Sequence, residues 1–222
     1  MAKQIFGLEV PTTLPDLCSR GRIALLVYDM QVGIASQVRD ADVTVAKVGQ
    51  VLRAARDSRM RIFFTRHMSL PLELMGAFQL RMAMRWQRVD DPSLVKSWFL
   101  RDSQAFPIVP ELTPRANEAI FDKITMSAFE GTPLNIALRD CGISAVAIVG
   151  IALEVGIEPT ARHATDLGLI PVIISDACGS GNADAAQRSL KSLAFEGNAL
   201  ITDVAAFTEL LAGQDRGNRG LG

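Results

Sequence analysis

A single α/β domain, built on a parallel sheet with helices on both faces, is the fold class the sequence predicts, and three observations predict it. The run Ile23-Ala24-Leu25-Leu26-Val27 is apolar at every position instead of alternating, and so are the stretches at 145–149 and 172–174, the pattern of strands covered on both sides. Segments with apolar residues at helical spacing separate these runs. No linker-like stretch divides the 222 residues, so strand–helix alternation continues through one unit.

Taken in order, residues 1–21 contain Pro11 and Pro15 and little periodicity, and read as an extended N-terminal arm. The domain proper is expected over 22–212, opening with a strand over 22–28 that ends at Asp29. Val45, Val48, Leu52 and Ala55 predict an amphipathic helix over 41–58. Arg61-Ile62-Phe63-Phe64-Thr65 is the second strand, with Arg66 and His67 at its end. Within 68–117, Met68, Met75, Met82, Met84, Trp86, Trp98, Phe99 and Phe106 are mixed with arginines and prolines without one sustained period. Short helices and loops forming a lid or a subunit contact are expected there.

The third strand, 118–123, ends at Lys123. Thr132 as N-cap, with Pro133 at the first helical position, opens a helix that closes near Cys141-Gly142. The fourth strand, 145–150, breaks at Gly150, and after a turn a helix continues to Gly168. A strand over 170–176, a helix over 184–196, a short strand over 199–202 and a closing helix marked by Val204, Phe207 and Leu211 complete the alternation. The Gly- and charge-rich stretch 213–222 reads as a flexible tail.

Composition narrows the partners. With 49% hydrophobic residues, 21% charged and a net charge of -1, the chain lacks the basic footprint of a nucleic-acid binder. No apolar run reaches the ~20 residues that span a bilayer, and the first residues lack the apolar stretch of a signal peptide, so a cytoplasmic location is expected. Cys18, Cys141 and Cys178 show neither CxxC nor Cys/His clustering, which excludes a disulfide framework and a zinc cluster of that type. Gly179-Ser180-Gly181-Asn182 lacks the spacing of a phosphate-binding loop.

Chemistry concentrates where strands end. In parallel α/β sheets the carboxyl ends of neighbouring strands converge on one crevice, and here they present Asp29, Lys123 and the turn from Gly150 to Gly156. That turn runs from a strand into a helix N-terminus, a setting in which backbone N–H groups hold negative charge. Tyr28-Asp29-Met30-Gln31, Asp122-Lys123 followed by Ser127-Ala128-Phe129 and Thr132-Pro133-Leu134, and Gly150 through Ala161 together resemble the three signatures of the isochorismatase-like hydrolase superfamily, over roughly residues 20 to 205.

The resemblance implies a Rossmann-like three-layer αβα sandwich whose six-stranded parallel sheet has the order 3-2-1-4-5-6, no tightly required cofactor, a small-molecule substrate and a homo-oligomer, dimer or tetramer. Most members are amidohydrolases with an Asp–Lys–Cys triad. Asp29 and Lys123 match its first two members, and Gly156 stands at the nucleophile's position. The family's non-proline cis peptide corresponds here to Ala152–Leu153. Metal-using nicotinamidases of the superfamily carry an Asp-x-His; here Thr65 replaces the Asp before His67, and His163 is the one remaining histidine, so no metal is expected.

Without a thiol the acyl-enzyme route is closed. Isochorismatases proper resemble the pattern with glycine at this position, which implies water-dependent cleavage of a vinyl ether or a related C–O or C–N bond, with Asp29 as acid. A second route uses Asp29 or Glu154 as base toward water and the backbone of Ala152, Leu153, Val155 and Gly156 as oxyanion site. Phe129, Trp86 and Arg66 are pocket candidates by position. The alternatives are an amidohydrolase or lactamase homologue silenced by Gly156, for which a Gly156→Cys variant would restore the nucleophile, and a member that only binds a small molecule or a protein.

Overall fold

A computed structural model describes residues 3–18 and 21–219. Residues 1–2 and 19–20 of the arm and 220–222 of the tail lie outside the described residues. Instead of an extended arm, the chain opens with a two-stranded antiparallel hairpin, Lys3–Ile5 against Leu8–Val10, and a short helix, Leu14–Cys18. Phe6 and Gly7 form its two-residue turn with φ of 48° and 73°, both positive as type I′ turns require. The short strands and a turn opened by Phe in place of Asn or Asp left little pattern to read.

The sheet strands are β1 (Ile23–Tyr28), β2 (Arg61–His67), β3 (Ala119–Lys123), β4 (Ala145–Ile151), β5 (Ile170–Gly179) and β6 (Leu200–Thr202). All pair in parallel in the order 3-2-1-4-5-6, the Rossmann-like arrangement expected. β1 and β4, at the centre, are buried at every position, which is why neither shows alternation.

The alternation of side chains along β1 divides the core. Leu25 and Val27 face one layer with Val48, Val51 and Leu52 of α1 (Ala41–Asp57) and Phe207 and Leu211 of α6 (Val204–Arg219). Ala24, Leu26 and Tyr28 face the other, with Leu134 and Leu138 of α3 (Leu134–Asp140), Ala161 and Ala164 of α4 (Glu158–Asp166) and Leu193 of α5 (Ala183–Glu196). The N-cap of α3 is Pro133, one residue later than the expected Thr132, whose Oγ1 still accepts from the Leu134 N–H at 3.2 Å. Helix α6 continues to Arg219, so most of the stretch read as a tail has helical backbone; no proline interrupts it after Val204.

Within 68–117 the substantial element is a helix α2 (Ala77–Gln87), joined by single 3-10 turns and loops. β5 runs past Asp176 to Gly179, and its register with β4 shifts between Ile148 and Gly150. Gly150 has φ 127°, and a Cβ there would lie 2.8 Å from the Tyr28 carbonyl carbon, so this position at the heart of the sheet tolerates only glycine. The cis peptide is at Ile151–Ala152, one residue before the expected Ala152–Leu153.

Candidate active site

Three neighbouring strands fix Asp29. It follows β1 with φ 46°, a left-handed conformation uncommon for a side-chain-bearing residue. Its backbone N–H donates to the Thr65 carbonyl of β2 at 3.2 Å. The side chain is buried: Oδ1 accepts from Thr65 Oγ1 at 2.7 Å and Oδ2 from Lys123 Nζ at 2.6 Å. Lys123 closes β3, and its ammonium uses all three donors, on Asp29, on the Tyr28 hydroxyl at 2.9 Å and on the Thr125 carbonyl at 3.1 Å. Burial pushes the Lys123 pKa down against the opposing pull of Asp29.

Gln31 ties this centre to the segment 68–117. Its Nε2 donates to the carbonyls of His67 at 3.0 Å and Phe106 at 2.9 Å, and its Oε1 accepts from the His67 N–H at 2.6 Å. The His67 ring stands between Trp86 and Phe99, with ring centroids 6.2 and 5.8 Å away. Burial pushes its pKa down to about 4, so the imidazole is neutral at pH 7.

The strand-to-helix turn is a π-helical turn, Leu153–Ile157, leading into α4. The Ala152 carbonyl accepts from the N–H groups of Val155 at 3.3 Å, Gly156 at 3.0 Å and Ile157 at 3.2 Å. This corrects the oxyanion expectation for Val155 and Gly156, whose donors are turned into the turn itself; the N–H groups of Ala152 and Leu153 lie outside this bond set. Thr160 Oγ1 donates to the Gly156 carbonyl at 2.7 Å and accepts from the Ala128 N–H at 3.0 Å, locking the turn to the segment after β3.

Tyr28 decides what Gly156 means. A Cβ at 156 would overlap the Tyr28 hydroxyl and lie 2.6 Å from its Cε1. The Tyr28 ring sits against the Lys123 ammonium, 4.3 Å from its centroid, and its hydroxyl donates to the Met126 carbonyl. A Gly156→Cys variant therefore does not restore a free nucleophile, because its side chain and Tyr28 require the same space. Tyr28 stands in the first of the three sequence signatures without a role of its own there, and one signal pointed to one: an aromatic residue immediately before a strand-end Asp, in a chain whose nucleophile position is glycine.

A cleft of about 270 Å³ opens onto this centre. Tyr28, Asp29, Ala152 and Gly156 are at its floor, and Ile34, Val38, Trp86, Phe99, Met126 and Val155 contribute to its walls. Of the sequence's pocket candidates, Trp86 is among the residues lining this cleft. The other pocket candidates lie elsewhere. Phe129 is buried in the second core layer with an edge contact to His163, because the Ser127-Ala128 turn folds it inward. Arg66 is held by Asp122 at 2.8 Å and lies over the Phe106 ring at 4.3 Å. Glu154 Oε1 accepts from the N–H groups of Gly181 and Asn182, both at 2.8 Å, where it meets the start of α5 instead of the cleft. Its Oε2 is buried with no hydrogen-bond partner among the described residues.

The donors at the Asp-x-His position do not suit a metal. Thr65 is a neutral hydroxyl committed to Asp29, and His67 is enclosed by aromatic rings, while His163 pairs with Ser127 Oγ at 2.9 Å. Among the described residues, no group of three or more His, Cys, Asp or Glu side chains is arranged to hold a metal ion.

Comparison with known proteins bears on the family and the fold. Residues 23–206 match the isochorismatase domain. The uncharacterized isochorismatase family protein YecD of Escherichia coli O157:H7 is 31% identical over 177 residues, covering 77% of this chain and 86% of that protein. The ureidoacrylate amidohydrolase RutB of Serratia proteamaculans (strain 568) is 25% identical over 205 residues, covering 85% and 82%. Among solved structures, a cysteine hydrolase from Pseudomonas syringae pv. phaseolicola 1448A superposes with a TM-score of 0.74 at 22% identity, over 87% of this chain and 94% of that one. The pyrazinamidase of Pyrococcus horikoshii in complex with zinc gives 0.69 at 22% identity, over 82% and 99%. These two share the fold.

Proposed function

This chain belongs to the isochorismatase family of hydrolases, and from that premise we propose that it cleaves a C–N or C–O bond of a small uncharged molecule by direct attack of water. The observation that carries this reading is the floor of the cleft, where Asp29 is paired with Lys123 at 2.6 Å while position 156 has no side chain and no room for one. A covalent intermediate on a thiol has no atom to form on.

In the proposed reaction a water beside Asp29 gives a proton to its carboxylate as the water oxygen bonds to the substrate's electrophilic carbon. The carbonyl electron pair moves onto the substrate oxygen and returns as the C–N or C–O bond breaks. The leaving group takes the proton back from Asp29. Lys123, hidden behind Asp29 and Tyr28 with its side chain 0% exposed, holds the carboxylate and balances its charge. Both Asp29 oxygens accept hydrogen bonds, from Thr65 and Lys123, which favours the proton-accepting role over the acid role that a vinyl ether would require.

Substrate charge follows from the walls. Asp29 is the single charged side chain among the described residues that line the cleft, and the remainder are mostly apolar. With Arg66 bound to Asp122, nothing there compensates an anionic substrate. Exposed Phe6, Leu8, Leu74 and Phe78 support a homo-oligomer, and three free cysteines support a reducing cytoplasm. No helix among the described residues is long and apolar enough to cross a membrane.

The reading is tested by turnover of a panel of uncharged amides, lactams and enol ethers beside their carboxylate analogues. Hydrolysis of an uncharged amide or lactam, reduced by about 10²–10⁴ in Asp29→Asn, is expected. An Asp29→Asn variant as active as the parent overturns it.

A further inference from the structure

The floor of the cleft holds one group that the water-attack reading does not yet use. Tyr28 leaves β1 on the same face as Ala24 and Leu26, pairs across the sheet with Gly150, and extends its ring into the volume that a side chain at 156 would occupy. Only 2% of Tyr28 is exposed, yet it lines the cleft beside Asp29. Its hydroxyl accepts from the Lys123 ammonium at 2.9 Å and donates to the Met126 carbonyl.

Three roles are open to a phenol in this place, and the surroundings exclude two. Burial, reinforced by the Asp29 charge, pushes its pKa well above the ordinary tyrosine range. It is therefore neither a phenolate nucleophile nor a base. A neutral hydroxyl that accepts a hydrogen bond from an ammonium is polarised into a stronger donor. Such a donor is wanted here, because the N–H groups of Val155 and Gly156 are consumed by the Ala152 carbonyl. A carbonyl oxygen that gains charge as water adds requires a preorganised donor.

We propose that the Tyr28 hydroxyl stands in the place of the nucleophile and donates the hydrogen bond that holds the substrate oxygen while water attacks. The inference rests on the water-attack reading. On substrate entry the hydroxyl hydrogen turns from the Met126 carbonyl to the substrate oxygen; the proton stays on Tyr28, and no bond to Tyr28 forms or breaks. The small residue at 156 and the large one at 28 are two halves of one exchange, in which space for a side chain from the turn is given to a side chain from the strand.

Two sets of variants test this. Tyr28→Phe keeps the ring and removes the hydroxyl. A kcat lowered about 10²–10³-fold with KM changed less than about threefold is expected. The preference for a carbonyl substrate over its thiocarbonyl analogue, in which sulfur accepts hydrogen bonds poorly, should collapse in Tyr28→Phe; a purely structural role leaves that ratio unchanged. A kcat within about threefold of the parent, or an unchanged ratio, overturns the proposal. Activity lost in Asp29→Asn but kept in Tyr28→Phe rejects Tyr28 alone, whereas activity kept in Asp29→Asn rejects the water-attack reading. A parent inactive on every panel member rejects both.

The exchange itself is read without turnover. Tyr28→Ala combined with Gly156→Cys should fold and expose a thiol alkylated by iodoacetamide. Gly156→Cys alone should unfold at lower denaturant than the parent. Equal stability of that single variant, with a freely alkylated thiol, would show that Tyr28 does not occupy the site.

Discussion

The Lys123 ammonium and the Asp29 carboxylate meet at 2.6 Å with side chains 0% and 5% exposed, so each is the other's main compensation for leaving water. Removing one partner leaves the other buried and unpaired. Lys123→Met is expected to lower unfolding stability by about 3–5 kcal/mol. Lys123→Met combined with Asp29→Asn should recover part of that loss, read as a coupling energy from urea unfolding of all four chains. Strictly additive losses would show that the pair is not coupled.

His67 makes stability depend on pH. Its folded pKa is about 4 against 6.5 for the free side chain, so between these values the unfolded chain binds the extra proton and stability rises with pH. The contribution is fully present above about pH 6.5 and disappears as pH falls toward 4, amounting to about 3 kcal/mol. Denaturant midpoints at pH 7.5 and 4.5 should differ by less in His67→Gln than in the parent.

Gln31 is fully buried and its amide bridges β2 to the carbonyl of Phe106. Gln31→Ala removes these bonds and strands buried carbonyls, a loss of about 2–4 kcal/mol. Because the bridge is local, amide hydrogen exchange should accelerate around 98–108 before it does in the central strands.

Trp86 contributes a wall of the cleft and none of its floor. Trp86→Ala should raise KM about tenfold for an apolar substrate with kcat nearly unchanged, the signature of lost uniform binding. Equal falls in kcat and kcat/KM would place the ring in the reaction itself.

Sequence carried the sheet because doubly buried strands such as Ile23–Tyr28 and Ala145–Ile151 cannot alternate, and their unbroken apolar runs report that burial directly. It also located Asp29 and Lys123, since strand ends are fixed by the strands before them. It did not carry contacts made by reach or by backbone direction. Glu154 and Arg66 were legible as polar groups near the turn and the second strand end, but their partners, Gly181 and Asp122, depend on loop geometry. The Val155 and Gly156 N–H groups followed from the general helix-start pattern, and the π-helical turn redirected them to Ala152. Tyr28 was visible beside Asp29, but its hold on the space at 156 was not, because that contact is with a side chain that 156 lacks.

The floor of the cleft comes from strand ends clamped by Thr65, Gln31 and Thr160, and several of its walls come from other parts of the chain: Ile34 and Val38 in and just after the helix at Val32–Ala35, and Trp86 and Phe99. Reaction and taste therefore have separate addresses. Changes along the walls can retune which molecule is admitted without disturbing Asp29, Lys123 and Tyr28, whereas a side chain added at 156 must be answered by a smaller one at 28. Such a division lets a lineage drift among substrates readily and between reaction types only by paired steps.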